Sequence, residues 1–307
     1  MKLSLNQDKK SARKDAETQR TRKVFLCDAF EEHEQRFSLR YLCAVTAWRE
    51  RFYFFCKHLM LAPLILLILS GMFETAAPQQ IVQNDMFTFV RIKYSSGGYG
   101  YAFRMRFNSD SWEVDYPTAE ENFLRGLHKL TQLPVNDQAL AMPLTDPEIF
   151  QYPFAYMLEV GYLRLSQAEA DTLREWCLRG GFLMIDDFHG IAEWENFINE
   201  FSKAFSDRSP VLLPGDHPIF HCYHDFNGLP RVPGLGPLSM GRLYERDGYN
   251  PECWGIFDDN KRLMVLINHN VDIGDSWEHA ADPRYPAFYS KIGYMLGINY
   301  IVYALTH

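Results

Sequence analysis

Gly180-Gly181-Phe182-Leu183-Met184-Ile185-Asp186-Asp187-Phe188-His189-Gly190 is the stretch whose reading decides the fold. Phe182 to Ile185 is an uninterrupted apolar run, as expected of a central parallel strand buried on both faces. It is bracketed by helices. Upstream, Leu165-Ser166-Gln167-Ala168-Glu169 carries a capping-box start with Ser166 and Glu169 as reciprocal partners, and the helix it opens stops at Gly180-Gly181. Downstream, Ile191 to Phe205 places Trp194, Phe197, Ile198 and Phe201 on one helical face. Asp186, Asp187 and His189 therefore fall at the carboxyl end of a buried strand, the edge at which open α/β sheets hold ligands.

The same pattern recurs later. Arg262 to Ile267 is strand-like and runs into Asn268-His269-Asn270-Val271-Asp272-Ile273-Gly274-Asp275-Ser276-Trp277-Glu278-His279. Such a density of polar groups past a buried strand is costly unless the groups pair or face a cleft. Two strands that each end in Asp and His point to one shared site. Further strands are expected over Phe87–Tyr94, within Leu133–Met142 and over Phe154–Val160. Trp254–Phe257 and Arg262–Ile267 form a hairpin around Asp258–Lys261. Ser95 to Gly100 reads as a turn opening a hairpin insertion, and Gly228 to Gly241 as a long loop. Pro117–Leu130 and Tyr285–His307 read as helices, with Asp115-Tyr116-Pro117 capping the first. Alternation of strands and helices gives an α/β domain with a mostly parallel sheet over residues 86–307.

The chain ahead of that domain is different. Of 307 residues, 1–58 are polar and mixed in charge, and Leu59 to Phe73 is uncharged and apolar. The run is shorter than the roughly 20 residues of a spanning helix. With Thr75 and Ala77 small, residues 59–77 read either as a cleaved signal peptide or as an uncleaved membrane anchor. Residues 1–58 are long for a signal's leading region. They are either the product of a misassigned start codon or a cytoplasmic segment ahead of an anchor. Residues 1–77 hold 13 basic and 9 acidic residues, whereas 18 basic and 30 acidic follow. An acidic domain repels phosphate backbones, so nucleic acid is excluded as a partner. Positive charge before the apolar run agrees with a periplasmic or extracytoplasmic domain. Cys177, Cys222 and Cys253 are widely spaced, which gives no zinc ribbon and no disulfide framework.

Several motifs together resemble one family. They are Trp112-x-x-Asp115-Tyr116-Pro117 with Glu120-x-Asn122-Phe123, Tyr152-Pro153-Phe154-x-Tyr156, and Gly180 through Gly190. With them go Asp216-His217-Pro218-Ile219-Phe220, the His269 to His279 stretch and Gly297-Ile298-Asn299-Tyr300. The chain resembles the bacterial domain-of-unknown-function family numbered 4159, which is similar in fold to class I glutamine-amidotransferase-like and ThuA-like proteins. The resemblance implies a flavodoxin-like three-layer sandwich. It also implies an exported or anchored protein encoded near MoxR-type ATPases and von Willebrand A proteins, hence cell-envelope partners. It implies no established activity. Amidotransferases of that fold place a Cys in a strained elbow after a central strand; here Asp186 and Asp187 follow the strand, so a thiolate nucleophile is missing.

The candidate catalytic residues are Asp187, His189 and His269. Candidate ligand-binding residues are Asp186, His217, Asn270, Asp272, Asp275, Trp277 and Glu278. Each has a structural alternative: Asp187 as the cap of the helix near Ile191, His189 as a satisfied histidine in a turn, Trp277 as core. Trp277, among Asp275, Glu278 and His279, is expected to be the least core-like tryptophan, and indole faces stack on sugars. Asp272, Gly274 and Asp275 lack the remaining ligands of a twelve-residue calcium loop, and no H-E-x-x-H occurs, so no metal and no cofactor is assigned. Three functions follow: a non-catalytic binding or scaffold component of an envelope assembly; a carbohydrate-directed hydrolase or isomerase using Asp187, His189 and His269; a metal or small-ligand sensor.

Overall fold

The computed structural model describes residues 86–97 and 110–307. The signal or anchor expected over residues 59–77, and the extension before it, lie outside the described residues. Among the described residues no helix is long and apolar enough to cross a membrane. Gln80–His307 forms one compact unit.

The chain runs β1 (Val90–Lys93), β2 (Ser95–Ser96), α1 (Thr118–Leu130), β3 (Leu140–Pro143) and β4 (Phe154–Leu158). It continues through β5 (Leu163–Arg164), α2 (Gln167–Leu178), β6 (Phe182–Asp186), α3 (Gly190–Phe201) and β7 (Val211–Leu212). It closes with α4 (Leu235–Ser239), β8 (Glu252–Phe257), β9 (Leu263–His269), α5 (Ile273–Glu278) and α6 (Ala287–Thr306). One sheet has the order β3-β1-β4-β6-β9-β8-β7. The strands from β3 to β9 pair parallel, whereas β8 is antiparallel to β9 and to β7. Counting only the parallel series in chain order, the sheet reads 2-1-3-4-5, the flavodoxin-like order.

The layers follow from alternation. On β4 and β6, Phe154, Tyr156, Leu158, Phe182 and Met184 face α1, α5 and α6, and Ala155, Met157, Leu183 and Ile185 face α2 and α3. Both faces are covered, which is why these strands read as unbroken apolar runs. The capping box at α2 is present, with Ser166 Oγ accepting from the Glu169 amide. Gly180, at φ 116°, takes the left-handed turn that ends that helix.

Three expectations are corrected. Ser95–Ser96 pairs antiparallel with Leu163–Arg164, so Ser95 and Ser96 belong to a two-stranded ribbon and not to a bare turn. Gly228 to Gly241, expected as a long loop, contains the short helix α4, and the polar run after β9 forms α5, whose buried face carries Ile273, Ser276 and Trp277. Trp277 is fully buried, stacked on Phe123 at 4.3 Å between ring centres, so it is core. On a one-and-a-half-turn helix, the acidic Asp275 and Glu278 lie off the face that carries Trp277 inward.

Alternation also puts Arg91 of β1 on the α1 face. There it is wholly buried, with Nε donating to Glu120 Oε1 at 2.6 Å and Nη1 to the carbonyls of Trp112 and Val114. The guanidinium lies 4.8 Å from the Tyr156 ring centre. Through the Trp112 and Val114 carbonyls Arg91 also moors the 112–116 segment to the sheet, and the Glu120 carboxylate holds the guanidinium in place. Arg91→Ala would leave Glu120 buried and unpaired, and should cost about 3–5 kcal/mol in urea denaturation of the full chain. Arg91→Met combined with Glu120→Leu should recover most of that loss. A single substitution costing under about 1 kcal/mol would mean the pair moors nothing.

Candidate active edge at the strand carboxyl ends

Three neighbouring parallel strands end the same way. Leu158 of β4 leads to Glu159, Asp186 of β6 to Asp187 and His269 of β9 to Asn270, with φ of 51°, 52° and 65°. Side-chain-bearing residues other than glycine rarely adopt this left-handed region, at a cost of order 1–3 kcal/mol each, and such strain clusters at functional sites. The corners are linked: the Glu159 amide donates to the Asp187 carbonyl, and the Asn270 amide to the Phe188 carbonyl. Asp115, at φ 62°, adds a fourth left-handed residue, and a third left-handed carboxylate, from the segment tied down by Arg91.

Asp186 faces the α5 side by strand alternation and is fully buried. Its Oδ2 accepts the amides of Ile273 at 2.8 Å and Gly274 at 3.1 Å and the hydroxyl of Tyr156 at 3.1 Å. Asp272 caps α5, its Oδ1 accepting the Asp275 amide at 2.7 Å. Asp275 Oδ2 accepts the Leu235 amide, and Oδ1 lies 3.3 Å from His279 Nε2. Asp187, the residue at the elbow, does not cap α3. The amides there go to Asn270 Oδ1, Asp247 and Glu193, and the Asp187 Oδ1 atom lies 3.1 Å from His189 Nε2. Glu193 also pairs with Arg246 at 2.6 Å.

His189 and His269 lie at the same edge. His269 is held structurally: Nε2 is 3.2 Å from the Gly190 carbonyl, and its ring packs 4.8 Å from both Phe188 and Trp194. Glu278 is half-buried, 3.1 Å from His279 Nε2. Trp277 lies beneath this edge, in the core. His217 is elsewhere: it accepts the Ile219 amide and packs near Phe257 and Tyr303, at the amino end of β9. A cavity of about 420 Å³ lined by Thr88, Asn136, Gln138 and Leu140 also opens at the amino ends of β1 and β3, away from the clustered carboxyls.

The electrostatics set this edge apart. Burial pushes the carboxyls of Asp115, Glu159, Asp187 and Asp272 well above their ordinary range, and neighbouring carboxylates push them further. For Asp115 the chief neighbour is Asp275, for Glu159 and Asp272 it is Asp187, and for Asp187 it is Glu245. Asp186 is raised to about 7, burial outweighing its amide bonds. Burial also presses on Asp275, but bonds from His279 and the Leu235 amide prevail and hold it low. His189 and His269 are lowered by burial, hence neutral.

Asp115, like Trp277, sits otherwise than the sequence suggests. Its carboxylate does not cap α1. The Oδ2 atom is buried, has no hydrogen-bond partner among the described residues, and lies 2.5 Å from where a Cβ on Gly274 would sit. Glu159, Glu193, Glu245 and Arg246 were also missed. The residue immediately after each parallel strand was the available signal for Glu159; the others join through tertiary contact alone.

The chain belongs to the family described as Domain of unknown function (DUF4159), whose model matches residues 88–305. The matched span takes in the whole carboxyl edge, from β1 through α6. No curated protein matches the chain.

A pH dependence follows. Carboxyls raised in the folded state keep protons that the unfolded chain has already released above about pH 4, so each contributes a stability that is lost as pH rises through its folded value. His189 and His269 act oppositely, but only below about pH 6.5. Stability in urea should therefore fall as pH rises from about 6.5 through about 7, where Asp186 titrates, in cation-free buffer. Asp187→Asn should flatten the slope. A profile that is level or rising over that interval in the wild type would contradict the like-charge reading.

Proposed function

We propose that the domain is a ligand-binding module and not a glutaminase, working as a binding or scaffold component of a cell-envelope assembly. The observation that carries the reading is the elbow after β6. Its strained position holds Asp187, whose carboxyl is raised and whose partner is a neutral histidine. A thiolate is what the elbow of a Cys-dependent amidotransferase must present. Cys177 and Cys253 are buried, Cys222 is half-buried against the Asn299 carbonyl, and burial raises all three thiols.

The same edge supports a ligand class. It offers carboxylate oxygens from several elements, and Arg246 is paired into it at Glu193. Carboxylates accept hydrogen bonds and attract positive charge, so hydroxyl-rich and cationic groups suit it. Export behind residues 59–77, attachment through residues 59–73 and partners of the MoxR and von Willebrand A kind complete the proposal on the strength of the N-terminal pattern and the family resemblance. A second reading keeps the Asp187–His189 contact of 3.1 Å as an acid–base pair for a carbohydrate-directed hydrolase or isomerase.

The test is a thermal-shift screen of the full chain against polyols, sugars and amines, beside an assay of ammonia release from glutamine. A ligand at about 100 times its Kd should stabilise by about 2.7 kcal/mol, and Asp187→Asn should weaken that effect. Ammonia should stay at the level of buffer. Glutamine turnover abolished by alkylating Cys177, Cys222 or Cys253 would overturn the proposal; sugar turnover lost in His189→Ala would favour the second reading.

A further inference from the structure

Within the carboxylate-rich edge, one group stands closer than the rest. Asp115, Asp272 and Asp275 each present an oxygen, and those oxygens lie within 4.8 Å of one another. They come from three segments: the one moored by Arg91, the α5 cap, and the first turn of α5. Oxygens bound to one hard divalent cation sit about 2.0–2.6 Å from it, so they are at most about 4–5 Å apart. The observed spread fits that limit.

Proximity of acids is not enough, and two further features point to an occupant. The first is unpartnered polar atoms. Asp186 is completely buried. Its Oδ2 holds the amides that begin α5, and its Oδ1 has no hydrogen-bond partner among the described residues. Asp115 Oδ2 is likewise buried without a partner. An unsatisfied buried polar group is costly, more so when charged, and a cation held beside Asp115 Oδ2 would remove that cost there. The second is space kept clear by glycine. A Cβ on Gly274 would lie 2.5 Å from Asp115 Oδ2. A Cβ on Gly234 would lie 2.6 Å from Asp272 Oδ2 and 3.1 Å from both Asp275 Oδ2 and Glu245 Oε1. The two glycines flank the cluster from opposite segments and leave its oxygens open to one another. The neighbouring set of Asp275, Glu278 and His279 lacks these features, since its members already pair with each other.

We propose that Asp115, Asp272 and Asp275 bind one hard divalent cation, Ca²⁺, Mg²⁺ or Mn²⁺, at the carboxyl edge of the sheet. An all-oxygen donor set selects hard cations over zinc or copper. The proposal rests on the ligand-binding reading and names the cation as part of what that edge holds. With the cation bound, Asp115, Asp272 and Asp275 are ionised, and the hydroxyl-bearing groups of a larger ligand gain a positive centre at the same edge.

The full chain, stripped with a chelator, is titrated calorimetrically with CaCl₂, MgCl₂ and MnCl₂ near neutral pH. One saturable site per chain is expected for at least one of the three. Asp115→Asn, which removes a carboxylate that caps no helix, should weaken it by at least about tenfold. Gly234→Ala keeps every carboxylate, has an ordinary φ of −67° and should weaken binding similarly. If no cation gives saturable binding, or if both variants bind as the wild type does, the cation proposal falls. Hydroxyl-rich or amine ligands that still bind in that event leave the ligand-binding reading standing. If those also fail to bind, both fall together.

Discussion

The carboxylate of Asp186 holding the first two amides of α5 is the contact on which the edge depends. It is fully buried, it joins the central strand β6 to a helix about 87 residues later in the chain, and its grip on Ile273 and Gly274 fixes where Asp272 and Asp275 stand. Gly274, so placed, is what allows Asp115 to come close. Tyr156 of β4 donates to the same carboxylate, so two strands and a helix converge on one buried acid. A hydrogen-bonded buried carboxylate of this kind fixes geometry more than it adds net stability.

That geometry is costly in two ways. Glu159, Asp187 and Asn270 hold left-handed backbone at successive strand ends, and the acids around them crowd like charge into a poorly hydrated edge. Neither is needed to close a flavodoxin-like sheet. The two apolar layers, with Phe89, Phe154 and Trp277 on one side and Ile185, Phe188 and Phe197 on the other, supply the stability that lets the edge persist. Left-handed backbone at three successive strand ends and acids crowded at the same edge, against a core that requires neither, separate this site from an incidental acidic surface.

The fold was legible because its signals are local. The apolar run Phe182–Ile185, the Ser166–Glu169 capping box and the Gly180 stop each act within a few residues, and together they gave the central strand and its flanking helix. The clustering of Asp186, Asp187, His189 and His269 at one edge followed from strand polarity. Asp115 was misread as a helix cap because its role is set by Arg91, Gly274 and Asp275, none of which is near it in sequence. Trp277 was misread for the opposite reason. Its acidic neighbours in sequence point elsewhere once α5 forms, and a helix that short leaves little periodicity to detect. His217 shares the polar company of the other histidines only on paper, since it lies at the amino end of β9.

The most direct test of a like-charged edge held by the scaffold is carbon-13 NMR of the aspartate and glutamate carboxyls in the cation-free full chain. The account predicts that Asp186 titrates at about 7 and that Asp115, Asp187 and Asp272 keep their protons well above the ordinary carboxyl range, whereas Asp275 releases its own early. Titration of all five near about pH 4, as in unfolded chains, would contradict it.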